Sequence, residues 1–150
     1  MTINTIYPIL RVYCFIVNQP GMVPIQTLDN LIYFPDMMPT LAALAKGTKH
    51  LPKQINGINI LPLFYGKQVD TDNRLLYWEF PGKQRAARKG DWKCVTIHPN
   101  QPLELYNLKE DPEETNNLAK KYPRRVKEFD EEMQRMHIPT PNWPQPGEQF

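Results

Sequence analysis

The stretch Leu75-Leu-Tyr-Trp-Glu-Phe80 decides the fold together with two that follow it, Gln84-Arg-Ala-Ala-Arg-Lys-Gly-Asp-Trp-Lys93 and Leu105-Tyr-Asn-Leu-Lys-Glu-Asp-Pro-Glu-Glu-Thr-Asn-Asn-Leu-Ala119. Short strands are predicted in this region at positions 75–80, 84–88, 92–97 and 103–106. Pro81-Gly82 and Lys89-Gly-Asp91 are tight-turn signals between the first three. The pattern therefore predicts an antiparallel meander.

A helix is predicted after the meander, from Tyr122 to about Met136. Pro123 suits the first helical position, where its missing N–H has no intrahelical partner to lose. Apolar side chains then recur at spacings of three and four, which places them on one helix face: Val126, Phe129, Met133 and Met136. A stripe of this kind is far more often a core contact than a binding groove. Since a small sheet needs cover, the stripe is expected to pack on the meander.

The first half of the chain contains elements of another kind. Residues 10–17 are nearly continuous in apolar character, which predicts a strand buried on both faces in a parallel sheet. A helix is predicted over residues 36–45, with Asp36 as its N-cap and Gly47 just past its end. A second, shorter helix is predicted to begin near Asn59 and to end at Gly66.

Composition limits the possible partners of this 150-residue chain. The net charge is +2 and no run of like charges resembles a nucleic-acid tail, so nucleic acid is not an expected partner. Two cysteines are too few for a disulfide framework. The apolar run at residues 12–17 is far shorter than the roughly 20 residues that span a bilayer. Residues 1–18 also lack the early positive charge of a secretory signal.

The order, spacing and residue types of the three quoted stretches resemble the C-terminal subdomain of the sulfatase family, the arylsulfatase-like hydrolases of sulfate esters. Tyr33-Phe-Pro-Asp-Met-Met-Pro-Thr-Leu-Ala-Ala-Leu-Ala45 is similar to the late helix of the sulfatase catalytic domain. Ile58-Asn-Ile-Leu-Pro-Leu-Phe-Tyr-Gly-Lys67 resembles the segment that leads out of that domain. The likeness runs from about residue 10 to residue 146, and is closest to bacterial sulfatases related to N-acetylgalactosamine-6-sulfatases and arylsulfatase A.

The resemblance implies an α/β, alkaline-phosphatase-like sulfatase fold of which this chain holds a C-terminal fragment. Residues 1–70 would be the tail end of the catalytic domain, with its last strand and helix. Residues 71–150 would be the C-terminal subdomain, a small antiparallel sheet packed against a C-terminal helix. The polar segment 67–74, which has no apolar periodicity, is the predicted boundary. The likeness stops abruptly before Arg11, which suggests a truncated gene product or an interrupted reading frame.

The catalytic residues that the resemblance implies are not found in this sequence. The family's nucleophile is a Cys or Ser oxidised to formylglycine in a Cys/Ser-x-Pro/Ala-x-Arg motif, which neither Cys14 nor Cys94 matches. Its divalent cation, usually calcium, is held by an Asp-Asp pair and a later Asp-Asn. Asp29-Asn30 and Asp72-Asn73 lie elsewhere and are expected to form turns. Calcium and formylglycine would therefore belong to a missing N-terminal domain, and no catalytic or metal residue is expected here.

Cations around the second and third strands are the candidate substrate contacts: Lys83, Arg85, Arg88 and Lys93. In intact relatives this sheet borders the mouth of the active site, where cations would suit a sulfated glycan through bidentate Arg–sulfate contacts. The alternative is a solvated surface that protects the sheet edge. Side chains alternate along strands, so these cations cannot all share one face.

The remaining polar and aromatic side chains are expected to be structural. The three histidines, at positions 50, 98 and 137, are interpreted as solvent-exposed loop residues. Glu79 and Glu104 could be imagined as an acid/base pair, yet strand carboxylates are more often solvated or ion-paired. Trp78, Trp92 and Tyr106 are expected to be core or sheet-face aromatics, with sugar stacking as the alternative.

Two functions remain open from the sequence. The first is the C-terminal part of a sulfatase that acts on sulfated glycans or aryl sulfates and is inactive alone. The second is a non-catalytic glycan- or protein-binding module derived from the same subdomain. Sulfated carbohydrate is the partner expected in an intact enzyme. Intact relatives are often exported, but the sequence does not locate this chain.

Overall fold

A computed structural model describes residues 16–17, 23–80, 84–98, 100–142, 144 and 149. The chain separates into two compact units, Val12–Asp72 and a second that contains Asn73–Phe150. The strand predicted over residues 10–17 lies outside the described residues except for its last two.

The described part of the first unit contains short helical segments joined by irregular chain. A 3-10 turn at Phe34–Asp36 leads into α1 (Met37–Leu44), and another at Thr48–His50 follows it. Helix α2 (Leu61–Phe64) is a single turn. Both α-helices are found where the sequence predicts them.

Asp36 precedes α1 as predicted, but its carboxylate does not cap the helix. One carboxylate oxygen accepts a hydrogen bond from the backbone N–H of Tyr33 at 2.7 Å, and the other accepts one from Ile58 at 2.9 Å. Gly57 comes just before this bond, and a Cβ there would collide with the backbone of Pro35. The buried carboxylate therefore ties the start of α1 to the segment that leads to α2.

Thr40 makes a second tie between these segments. Its hydroxyl donates to the backbone oxygen of Asp36 at 2.6 Å and accepts from the backbone N–H of Ile60 at 3.0 Å. Ile60 is fully buried, so its N–H needs such a partner. The Pro-Asp-Met-Met-Pro-Thr sequence thus holds two helices together through one carboxylate and one hydroxyl.

The two helix ends differ in which residue takes the left-handed conformation. After α1 it is Lys46, with φ of 56°, one residue before the predicted Gly47. After α2 it is Gly66, with φ of 71°, as predicted. A glycine adopts this region without steric cost, whereas a lysine does so only with some strain.

The second unit is built on a four-stranded antiparallel sheet in the order β1-β2-β3-β4, which confirms the meander. Its strands are β1 (Leu76–Phe80), β2 (Gln84–Lys89), β3 (Trp92–Thr96) and β4 (Glu104–Asn107). The turn between β2 and β3 contains Gly90 with a φ of 57°. Ala87 pairs with Cys94 and Cys94 with Leu105, so these three side chains share one face.

Helix α3 (Pro123–Met136) covers that face. Its buried Phe129 and Met133 form a core with the sheet residues, and Val126 packs against it. Met136, the last residue of the predicted stripe, is instead 43% exposed. The buried part of the stripe therefore ends at Met133, and Met136, the last residue of the helix, lies outside it.

A second cluster lies on the opposite face of the sheet, since successive strand residues point to opposite sides. It consists of Ala86, Val95 and Tyr106, with Trp78 and Leu108 packed against it. Next to β4, the N–H of Leu118 donates to the backbone oxygen of Leu105 at 2.7 Å. This bond covers part of an edge that would otherwise be open to pairing with another chain.

Candidate functional site

Lys93, one of the four candidate cations, is buried. Its ammonium contacts both carboxylate oxygens of Glu114, at 2.5 and 2.6 Å, and the two side chains are 1% and 8% exposed. A buried ammonium needs such a partner, because an unpaired charge away from water is very unfavourable. The ion pair neutralises the charge of Lys93 and leaves no exposed ammonium at this position. Substrate contact by Lys93 stays a prediction.

The loop that presents Glu114 is organised by Asp111. Its carboxylate accepts hydrogen bonds from the backbone N–H of Asn116 at 2.8 Å and from the N–H and hydroxyl of Thr115 at 3.1 and 3.0 Å. These bonds lower the pKa of Asp111 below its usual value, and the bond from Asn116 has the largest effect. Glu114 itself has a φ of 57°. The Asp-Pro-Glu-Glu-Thr-Asn sequence therefore forms a loop that places Glu114 beside Lys93 as its buried counter-ion.

Arg85 and Arg88 lie on opposite faces of the sheet, as alternation requires. Arg85 is on the α3 side, where its guanidinium is 3.5 Å from Asp130 and the side chain is 20% exposed. Arg88 donates from Nε to the backbone oxygen of Gly90 at 3.0 Å. Lys83 lies outside the described residues. The structure does not bring the described candidates together, and substrate contact by them stays a prediction.

His137 differs from the prediction for the histidines. His50 and His98 are exposed, as expected. The ring Nδ1 of His137 instead lies 2.5 Å from Glu79 Oε1, just past the end of α3. The hydroxyl of Tyr77 also donates to Glu79, and burial, together with that bond, raises the pKa of Tyr77. No sequence signal identified this cluster, because His137 and Glu79 are far apart in the chain.

The imagined Glu79–Glu104 acid/base pair is not formed. Glu79 is on the α3 side of the sheet, whereas Glu104 lies on the other side and accepts a hydrogen bond from Tyr106 at 2.8 Å. Trp78 and Tyr106 belong to the second cluster, and Trp92 packs against the core under α3. The prediction of core or sheet-face aromatics is confirmed.

Cys94 is buried in the core under α3 with a free thiol. Burial raises the pKa of this thiol to about 12, so it is protonated at neutral pH and a poor nucleophile. Cys14 lies outside the described residues, and the sequence contains no serine. The chain's own residues therefore do not fit the formylglycine precursor that the sulfatase resemblance implies.

Asn30 and Asp72, one residue from each of the two Asx pairs considered as metal ligands, are linked through Thr71 in the first unit. Asn30 donates to the hydroxyl of Thr71 at 3.3 Å, and that hydroxyl donates to Asp72 at 3.1 Å. Calcium needs about six to eight oxygen ligands, and this hydrogen-bonded group offers one carboxylate. It does not fit calcium, and among the described residues no group of three or more His, Cys, Asp or Glu could hold a metal ion. No helix of the described residues is long and apolar enough to cross a membrane.

Exposed cations and aromatic rings meet where α3 begins. The guanidinium of Arg125 lies 4.3 Å from the centroid of the Trp92 ring. The Trp92 and Tyr122 rings are 5.3 Å apart and meet edge to face at 74°. The ammonium of Lys121 lies 5.3 Å from the centroid of the Tyr122 ring. This arrangement was not predicted, because it depends on β3 and the start of α3 lying side by side.

Known proteins similar to this chain include sulfatases and a protein described as uncharacterised. A protein of Haemophilus influenzae described as uncharacterised is 33% identical over an alignment of 126 residues, and the match covers 77% of this chain and 63% of that protein. Arylsulfatase K of Gallus gallus is 28% identical, with 77% of this chain and 24% of the enzyme covered. A solved 2-O GAG sulfatase superposes with a TM-score of 0.52 at 28% identity, covering 67% of this chain and 24% of that one.

The chain thus spans less than two thirds of each of these relatives, and about a quarter of the two sulfatases. The sheet with its covering helix agrees with the predicted C-terminal subdomain. A family model described as "N-sulphoglucosamine sulphohydrolase, C-terminal" matches residues 8–138. The chain therefore belongs to this sulfatase C-terminal family.

Proposed function

We propose that this chain serves as the C-terminal part of a sulfatase acting on sulfated glycans or aryl sulfates, and that it does not hydrolyse sulfate esters on its own. The observation that carries the proposal is an apolar stripe on and just before α1. Its four side chains are spaced by three or four residues and are well exposed: Phe34 (86%), Met38 (57%), Leu41 (55%) and Leu44 (51%). A contiguous apolar helix face of this kind marks a surface that another part of a protein covers.

The catalytic part of a sulfatase is the partner that suits this stripe. The family match is to a C-terminal region, and the chain spans 24% of arylsulfatase K. The larger share of such enzymes therefore precedes the matched region in sequence. That share would cover the stripe and would supply formylglycine and calcium, for which the described residues of this chain offer no fitting site.

The chemistry of this chain's own residues supports a structural role. Hydrolysis of a sulfate ester needs an activated nucleophile, cationic stabilisation of the sulfate oxygens and an acid for the leaving group. The Cys94 thiol is buried and protonated, and Lys93 is paired with Glu114. Both groups lie inside the subdomain. In an intact enzyme we propose that either Arg85 or Arg88, which lie on opposite faces of the sheet and are both partly exposed, borders the substrate.

An assay with the purified 150-residue chain tests this proposal. We expect no turnover of a chromogenic aryl sulfate, with or without added calcium, while an active sulfatase run in parallel releases the chromophore. Turnover above the buffer blank that survives stringent purification would contradict the proposal.

A non-catalytic binding module is the second candidate. The sulfatase part and the binding module differ in what the DNA upstream of Met1 is expected to encode. An in-frame or frameshifted Cys/Ser-x-Pro/Ala-x-Arg motif there favours the sulfatase part, and its absence favours the module.

A further inference from the structure

We propose that the basic aromatic surface, defined as Trp92, Lys120, Lys121, Tyr122, Arg124 and Arg125, binds sulfated polysaccharide. This surface is separate from the cations on β2 and β3 that the sequence indicates as substrate contacts. The choice of a sulfated glycan over another polyanion rests on the proposed function; the existence of the surface does not.

Positive charge is concentrated in this part of the chain. Residues 120–127 contain five Lys or Arg and no Asp or Glu. The whole chain has 18 Lys and Arg against 16 Asp and Glu, so the other residues carry 13 against 16. One short segment is therefore strongly basic in a chain whose remainder is slightly acidic. A local field of this sign attracts polyanions and releases their counter-ions on binding.

The cations of the surface are accessible and weakly engaged. Among the described residues, no ion pair joins Lys120, Lys121 or Arg125 to a carboxylate. Arg124 is 3.4 Å from Glu128, but its side chain is 94% exposed, and an exposed pair of this kind contributes little. These charges can therefore turn to an incoming anion without breaking a buried contact.

Two of the cations are held in place by aromatic rings. Arg125 lies over Trp92 and Lys121 over Tyr122, while the two rings contact each other edge to face. A guanidinium stacked on a ring keeps its planar edge free for a bidentate contact with sulfate. Because stacking already restricts these side chains, they lose less entropy on binding than free surface lysines do.

The exposed part of Tyr122 gives the surface an apolar component next to its charges. Sugars combine apolar C–H faces with charged substituents, and an aromatic ring between cations suits that alternation. Duplex nucleic acid differs, because its binding relies on a larger number of phosphate contacts spread along a helix. The observations therefore favour a sulfated glycan.

Binding of the full 150-residue chain to a heparin hexasaccharide, measured by titration calorimetry at several salt concentrations, tests the proposal. We expect the unchanged chain to bind and Lys121→Ala/Arg125→Ala to weaken binding at least about tenfold. The slope of log K against log[salt] should fall by about two, one for each lost cation. Tyr122→Ala should weaken binding without changing the slope, which a purely electrostatic surface would not show.

Lys49→Ala/Lys53→Ala is the matched control, because it removes two exposed lysines from the first unit. It should leave heparin binding within about twofold of the unchanged chain. An equal loss in this control would overturn the proposal, as would no heparin binding at low salt. If circular dichroism shows that Lys121→Ala/Arg125→Ala does not fold, Arg124→Glu is used instead, because the Arg124 side chain is 94% exposed. Heparin binding that this charge reversal leaves unchanged would contradict the proposal.

Two further ligands test the partner class. Hyaluronan, which carries carboxylates and no sulfate, should bind at least about tenfold more weakly than heparin; equal binding would overturn the preference for sulfate. A DNA duplex that binds as tightly as heparin would overturn the choice of a glycan. Because neither measurement involves hydrolysis, failure here is distinct from failure of the proposed sulfatase role, which the aryl sulfate assay tests.

Discussion

The two units of this chain differ in how they bury their apolar side chains. In the unit that ends at Asp72, α1 leaves Met38 and Leu41 more than half exposed, and the buried groups include a carboxylate and a hydroxyl. In the unit that contains Asn73–Phe150, both faces of the sheet carry a buried apolar cluster. Correct local helix signals therefore do not ensure a covered helix face. A unit can have its elements in place and still present a surface made for a partner.

Limited proteolysis should show the largest difference between the units. We expect early cleavage before Arg74 and a resistant core from the later residues, because segments with few buried apolar contacts open locally at low free energy. Mass spectrometry of the fragments over time measures this. Uniform protection of the described residues in both units would mean that they are equally stable.

Phe129→Ala should destabilise the second unit by roughly 3–5 kcal/mol, because it removes a large buried side chain from the core under α3. This is a large share of the roughly 5–15 kcal/mol of a small domain, so a urea denaturation curve should show it clearly. The control is Lys127→Ala, whose 78% exposed side chain should contribute no more than about 0.5 kcal/mol. Similar small effects from both would mean that the helix is not docked on the sheet.

Lys93→Met should cost roughly 3 kcal/mol, because it leaves the carboxylate of Glu114 buried without its counter-ion. The lower end of the usual range applies since Glu114 remains 8% exposed. The double variant Lys93→Met/Glu114→Asn removes both charges, and Asn tolerates the positive φ of that position. Denaturation should therefore find the double variant more stable than Lys93→Met. Additive losses would indicate that the two side chains do not interact.

Asp111→Asn should make stability less sensitive to acid. The folded-state pKa of Asp111 lies below the ordinary value of 3.8, so this group adds stability above pH 3.8 and loses it as pH falls through the lower folded value. Urea denaturation at pH 7 and at pH 3 should show a difference between the original chain and the variant that shrinks at low pH. A constant difference would exclude this carboxylate from the acid response.

Leu41→Gln should have the smallest effect, within about 0.5 kcal/mol in the isolated chain, because the side chain is 55% exposed. Leu63→Ala in the same unit should cost roughly 2–5 kcal/mol, since Leu63 is buried. Thermal melts of the two variants compare them. A large loss for Leu41→Gln would mean that the stripe is already covered, and would remove the main support for a missing partner.

Much of the fold was predictable because it depends on short-range patterns. Alternation and turn residues identified the meander, and spacings of three and four identified the buried face of α3. Predictions were less accurate at element ends. The left-handed residue after α1 is Lys46 rather than Gly47, and Met136 lies past the buried part of its stripe. Such ends depend on where the neighbouring segment stops, which local propensity does not specify.

The sequence alone determined the strands, the turns, the helix starts and the resemblance to sulfatases, because these follow from residue type and spacing along the chain. Only the tertiary structure decided which charges are available. Lys93 pairs with Glu114, 21 residues away in the chain. His137 contacts Glu79, and Arg125 lies over Trp92. Charge pairing falls off with distance through space, and that distance is set by strand register and loop closure rather than by separation along the chain.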